Sequence, residues 1–129
     1  MRVLEVTPDE VSAYALAKPG AWADQPWEGD NVAKVGDKIF AFLGHLGASD
    51  GPRVGVKLGS RAEADEWIAE FPADASVSPY IGRHGWNTLA IGGALPDEAM
   101  REAIDTSYEL VVAKLPRSQR PESSSSNSS

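Results

Sequence analysis

The chain contains no cysteine, so its chemistry-bearing side chains are carboxylates, hydroxyls, two histidines and a small set of cations. That absence excludes disulfides, thiolate metal sites and cysteine nucleophiles. The adjacent carboxylates Asp9-Glu10, Asp65-Glu66 and Asp97-Glu98 fall at helix starts or on polar helix faces, where the helix dipole and solvent account for them. His45 and His84 are each alone in their segments, the pattern of loop histidines facing solvent. The spacings HExxH, GxSxG, GxxxxGKS/T and GxGxxG do not occur. The glycines of 44–51 follow a strand, but no helix opening on Lys-Ser or Lys-Thr comes after them, so they build no phosphate cradle. The residues by themselves predict a binding module, not an enzyme, with no cofactor and no metal.

The cations are unevenly distributed. The whole chain carries a formal charge of −7, from 12 basic and 19 acidic side chains. Residues 31–58 reverse the balance with four basic groups, Lys34, Lys38, Arg53 and Lys57, against two acidic ones. The flanking stretches are strongly acidic: two against six over 1–30, and four against ten over 59–115. A negative body repels polyanions at long range, and a local basic patch overrides this only within a Debye length, roughly 8–10 Å.

The elements that must position these groups follow from periodicity and punctuation. A helix is expected from Pro8 to about Ala17, with Thr7 as N-cap, Glu10 completing a capping box and Lys18-Pro19-Gly20 ending it. Its apolar face is Val11, Tyr14, Ala15 and Leu16. Residues 19–30, rich in Pro, Gly and acid, read as a loop holding Trp22 and Trp27. Residues 32–35 and 38–43 read as a hairpin around Gly36-Asp37, followed by a polar glycine-rich connection over 44–52. In 53–58, alternation puts Val54, Val56 and Leu58 on one face and Arg53, Gly55 and Lys57 on the other. Ser60 and Glu63 form a second capping box opening a helix to Phe71, with Ala64, Trp67, Ile68 and Phe71 inward. Residues 72–85 look irregular, 86–91 form a strand, and Pro96 opens a last helix to Leu115. That helix has the stripe Met100, Ala103, Ile104, Tyr108, Val111, Val112, Leu115. The expected fold class is α+β, helices packed on one face of an antiparallel sheet whose other face is partly open.

One domain is expected over 1–115, with a disordered Ser-rich tail over 116–129. No apolar run nears the roughly 20 residues that span a bilayer. The first residues lack the basic start and apolar stretch of a secretory signal, so a cytoplasmic protein without membrane association is expected.

Four blocks carry a family resemblance: KVGDKIFA from Lys34, VKL from Val56, RHGWNTL from Arg83, and SYELVVAKLP from Ser107. In order and spacing the chain resembles the MmcQ/YjbR family of small bacterial proteins over about residues 8–116. The resemblance implies a frataxin-like (CyaY-like) α+β fold with a double-wing arrangement of strands, and DNA binding without enzymatic activity. On that reading Lys34, Lys38, Arg53 and Lys57 neutralise phosphates from a basic strand face. Arg83 and His84 add charge, and Trp86 and Asn87 supply stacking or a base-edge contact. Four to six such contacts predict a log–log salt slope of about −4 to −5. Two other readings compete. Trp22, Trp27 and the 44–52 loop would serve an unknown protein partner or a small ligand. Alternatively, frataxin-like topology combined with Asp9, Glu10, Asp24, Glu28 and Asp30 would suit a hard cation, although their spacing matches no defined loop.

Overall fold

The computed structural model of the chain describes residues 8–27, 30–43, 53–78, 82–91 and 95–119. Three helices lie against one six-stranded sheet: α1 (Pro8–Leu16), α2 (Arg61–Glu70), α3 (Asp97–Ala113), and β1 (Ala21–Trp27), β2 (Asp30–Val35), β3 (Lys38–Phe42), β4 (Arg53–Lys57), β5 (Ala75–Val77), β6 (Trp86–Ala90). The strand order is β1-β2-β3-β4-β6-β5, with every neighbouring pair antiparallel. This is the expected α+β arrangement. Single 3-10 turns occupy Gly82–His84 and Arg117–Gln119.

The core forms where the apolar faces meet. Val11 and Ala15 of α1, Ala64 of α2, and Met100, Ala103, Ile104 and Val111 of α3 are buried against Ala33, Val35, Ala41, Val54, Val56 and Leu89 of the sheet. The alternation in β4 is realised: Val54 and Val56 are fully buried, and Arg53 and Lys57 are half-buried. Ser60 and Glu63 make the reciprocal capping box at α2. The hairpin between β2 and β3 turns through Gly36 and Asp37, with Gly36 at φ +60°, a conformation glycine adopts without penalty. At α1, Tyr14 Oη donates to Asp105 Oδ1 at 2.7 Å, Lys18 pairs with Asp105, and Tyr108 Oη donates to the Pro19 carbonyl, so helix α1 is tied to α3.

Three sequence expectations need correction. Residues 19–30 are not a loop, because 21–27 form edge strand β1. Its Pro and acidic residues lower strand propensity, but an edge strand has a side on which no N–H is required. Cross-strand pairs also hold it: Trp22 opposite Lys34 and Ala23 opposite Ala33. With β1, four strands and not three precede α2; residues 72–85, after it, hold the short edge strand β5 and a 3-10 turn. The ordered chain runs past 115: Gln119 Oε1 accepts from the Asp37 N–H at 3.2 Å, seating the last 3-10 turn on the hairpin. Thr7, the 44–52 connection and 120–129 lie outside the described residues.

Candidate functional site

The sheet is not continuous in its middle. Among the described residues, β3 and β4 pair only at Ala41 with Val56 and Phe42 with Gly55. The cause is local. β2 advances one residue, Ala33 to Lys34, while β3 advances two, from Ala41 to Ile39, which makes Phe40 a bulge. The strand bends there, and the Phe40 carbonyl and Lys57 N–H cannot reach a ladder partner. Ser107 of α3 takes both: its hydroxyl donates to the Phe40 carbonyl at 2.6 Å and accepts from the Lys57 N–H at 2.8 Å. One buried side chain thus stands in for the missing rung, and the two three-stranded halves of the sheet part below it.

At the parting lies a cleft of about 580 Å³ lined by strand residues and by the C-terminal part of α3. Its apolar lining is Ile39, Phe42 and Trp86 from the strands, with Leu110 and Val111 of α3 showing through the gap. Register explains the strand side. Ile39 lies opposite Lys34, Phe42 opposite Gly55, and Trp86 opposite Lys57, so these positions share one face. Phe42 and Trp86 meet edge to face with centroids 5.4 Å apart. Four ammonium groups and one carboxylate complete the wall: Lys34, Lys38, Lys57, Lys114 and Asp37. The acid-rich helices α2 and α3 cover the other face of the sheet, so the cleft is a basic spot on an acidic body.

The cations are not equivalent. Lys34 is bonded to Asp24 Oδ2 at 3.1 Å and sits 4.9 Å from the centre of the Trp22 ring, so its charge is largely met within the protein. Among the described residues no ion pair joins Lys38, Lys57 or Lys114 to a carboxylate. Lys57 Nζ donates to the His84 carbonyl at 2.7 Å. Burial holds the Lys57 ammonium below its ordinary pKa, and the nearby charge of Lys114 lowers it further. Two ammonium groups that repel each other over an apolar floor form a site that an anion would relieve.

The eight positions singled out from the sequence therefore separate. Lys34, Lys38, Lys57 and Trp86 line the cleft. Arg83 and His84 are exposed on the 3-10 turn beside Lys57, outside the lining. Arg53 is on the same face as Lys57 but at the opposite end of β4, roughly 13 Å away along the strand. Asn87 is a correction. Neighbouring residues of a strand point to opposite faces, so Trp86 toward the cleft sends Asn87 into the core. It is fully buried; its Oδ1 accepts from Arg61 Nη2 at 2.7 Å and its Nδ2 donates to the Ala64 carbonyl at 2.8 Å. No base edge can reach it. Sequence reasoning missed Lys114, Leu110 and Val111. Their signal was helical spacing from Ser107, which sets them on the side of α3 that meets the parted strands.

The competing candidates are also placed. Trp22 is 44% exposed, its indole N–H donating to the Gly36 carbonyl at 3.1 Å, so it extends the cleft rim through Lys34 instead of forming a separate patch. The side chains of Trp27, Glu28 and Asp30 lie outside the described residues. Asp24 is engaged by Lys34, and the described residues include no group of three or more His, Asp or Glu able to hold a metal ion. A smaller cavity of about 190 Å³ between α2 and α3, lined by Glu66, Glu70, Glu102, Trp67 and Phe71, is acidic. No described helix is long and apolar enough to cross a membrane.

A family model described as YjbR matches residues 16–110. Over 117 residues the chain is 29% identical to the uncharacterized protein YjbR of Escherichia coli K12, spanning 89% of this chain and 95% of that protein, and the O157:H7 strain gives the same figures. The crystal structure of a Deinococcus radiodurans protein with a DUF419 domain superposes with a TM-score of 0.76 at 20% identity, covering 92% of this chain and 88% of the other. A Pseudomonas syringae protein superposes with a TM-score of 0.62 at 19% identity, covering 81% and 98%. At such identities the structural likeness shows the fold alone.

Proposed function

The chain belongs to the YjbR family, and on that premise we propose that it is a non-enzymatic nucleic-acid-binding module whose contact surface is the basic cleft between β3 and β4. The observation that carries this reading is the gathering of Lys38, Lys57 and Lys114 around Trp86, with no carboxylate pairing them among the described residues, on a chain of net charge −7. Phosphate is the ligand group such a site selects. It is anionic and takes charge-assisted bonds from several ammonium groups at once. It also relieves the repulsion between Lys57 and Lys114. The three-stranded halves on either side would act as the two wings of a DNA-binding surface.

Recognition here is electrostatic first. Lys34 contributes least, because a phosphate must compete with Asp24 for it. With the rest of the surface repelling polyanions, binding is weak and confined to the cleft. Fluorescence polarisation with labelled oligonucleotides at low and moderate salt tests the reading. Binding that weakens with salt, and that Lys38→Glu plus Lys57→Glu abolishes, supports it. No binding at either salt, or binding indifferent to that double substitution, removes it.

A further inference from the structure

Resting on the nucleic-acid reading, we propose that the cleft takes one unstacked base of a single-stranded segment, with its ring on Trp86 and the adjoining phosphates on Lys38, Lys57 and Lys114.

The floor of the cleft, not its rim, distinguishes a single strand from a duplex. A basic rim alone would serve any phosphate backbone. Beneath the rim, however, lie Ile39, Phe42, Trp86, Leu110 and Val111, an apolar surface recessed through a break in the sheet. A duplex has nothing to place there. Its base faces are stacked inside, and what it presents outward is phosphate, sugar and polar base edges. An unpaired strand exposes flat apolar base faces beside its phosphates, which matches an aromatic floor within a ring of ammonium groups. Size agrees: about 580 Å³ lies within the roughly 300–1,000 Å³ of small-ligand sites, room for one nucleotide and its flanking phosphates but not for a double helix. Shape agrees as well. Readers of the major groove insert a convex helix or ribbon, whereas this surface is concave.

The ring is held ready for such a contact. Phe42 meets Trp86 by its edge at an interplanar angle of 68°, and Lys57, directly opposite Trp86 in the ladder, is fixed by the His84 carbonyl. The contact proposed is with a ring face, which every base presents, so the selectivity is for an unpaired base and not for its identity.

The test titrates the full chain with three labelled DNA probes of one length at one salt concentration: a single strand, the corresponding duplex, and a strand whose central nucleotides are abasic. The single strand is expected to bind about ten times more tightly than the duplex. Base stacking on an aromatic ring is worth a factor of about five to a hundred, so the abasic strand, with all its phosphates, should lose affinity within that range. Trp86→Leu should bring single and abasic strands to the same affinity while leaving the salt dependence unchanged. The abasic comparison uses the unaltered protein and stands even if Trp86→Leu fails to fold. A duplex that binds as tightly as the single strand, or an abasic strand that binds as tightly as the intact one, overturns this inference and leaves the nucleic-acid reading standing. Absence of binding to all three probes overturns both.

Discussion

At the scale of single residues, the adjacent pair Trp86 and Asn87 shows how strongly strand parity constrains function. Both have side chains suited to nucleic acid, but only one of two neighbours on a strand can face a given side. Trp86 has the cleft; Asn87 joins Arg61 of α2 to the Ala64 carbonyl in the core. Asn87→Ala should therefore cost stability and spare binding. It takes the Asn87 donor from the buried Ala64 carbonyl and one acceptor from the Arg61 guanidinium, which keeps its bonds to Asp65 and the Gly82 carbonyl, a loss of about 1–3 kcal/mol. Urea denaturation should show the unfolding free energy falling by that amount, with a lower midpoint at unchanged slope, while oligonucleotide affinity measured well below the transition stays within a factor of two. A variant equally stable but unable to bind would return Asn87 to the contact surface.

At the scale of elements, two joints decide the architecture. The first is Ser107 between β3 and β4. Ser107→Ala removes the acceptor for the Lys57 N–H and the donor for the Phe40 carbonyl together, with an expected cost of about 2–3 kcal/mol. Amide exchange at Lys57 should accelerate more than exchange within the β4–β6 ladder; equal acceleration everywhere would mean the hydroxyl is not a local rung. The second joint binds α1 to α3 through Tyr14, Lys18, Asp105 and Tyr108. Burial raises the Tyr14 pKa, and its bond to Asp105 adds to that. Burial also raises Tyr108, against the opposing charge of Lys18. For Lys18 burial pulls downward, but the bond to and charge of Asp105 outweigh it and the pKa is raised. All three groups hold protons in the folded state that the unfolded chain gives up sooner. Their contribution is thus intact below about pH 10 and lost as pH climbs through the folded values. Lys57, lowered by burial and Lys114, opposes this trend. Melting temperature should fall between about pH 9 and pH 11. Asp105→Asn should flatten that fall; an unchanged slope would place the alkaline sensitivity elsewhere.

At the scale of the molecule, charge sets both the strength and the range of the proposed binding. An overall charge of −7 makes approach unfavourable except where the cleft faces the ligand within a Debye length. Three effective lysines, Lys38, Lys57 and Lys114, replace the four to six contacts expected from the sequence, because Arg53 lies too far along β4, Lys34 is engaged by Asp24, and Arg83 and His84 are outside the lining. The log–log salt slope should accordingly be about −2 for a single strand, or about −3 if a duplex is bound, instead of −4 to −5. Replacing any one of Lys38, Lys57 or Lys114 by Gln should reduce it by a little under one unit, read by polarisation titrations from low to moderate salt. A slope near zero would show that phosphate is not the group recognised.

What could be read from the chain alone was whatever short-range chemistry specifies. The Ser60 and Glu63 capping box, the Gly36-Asp37 turn, the alternation of Val54 and Val56 with Arg53 and Lys57, and the stripe along α3 are contacts between residues at most a few turns apart, and all are present as expected. The family resemblance rested on those same blocks. Tertiary structure alone decided the edge strands, the break in the sheet and the membership of the cleft. β1 is a strand because β2 lies beside it, not because a segment holding Asp24 and Pro26 favours one. Ser107 becomes a rung only because the Phe40 bulge, 67 residues away, turns a carbonyl toward it. Lys114 joins Lys38 and Lys57 only because α3 crosses behind the parted strands. The physical reason is common to all three. Side-chain direction is local and follows the backbone period, whereas convergence depends on which distant segments pack together, and that is settled by burying the core as a whole.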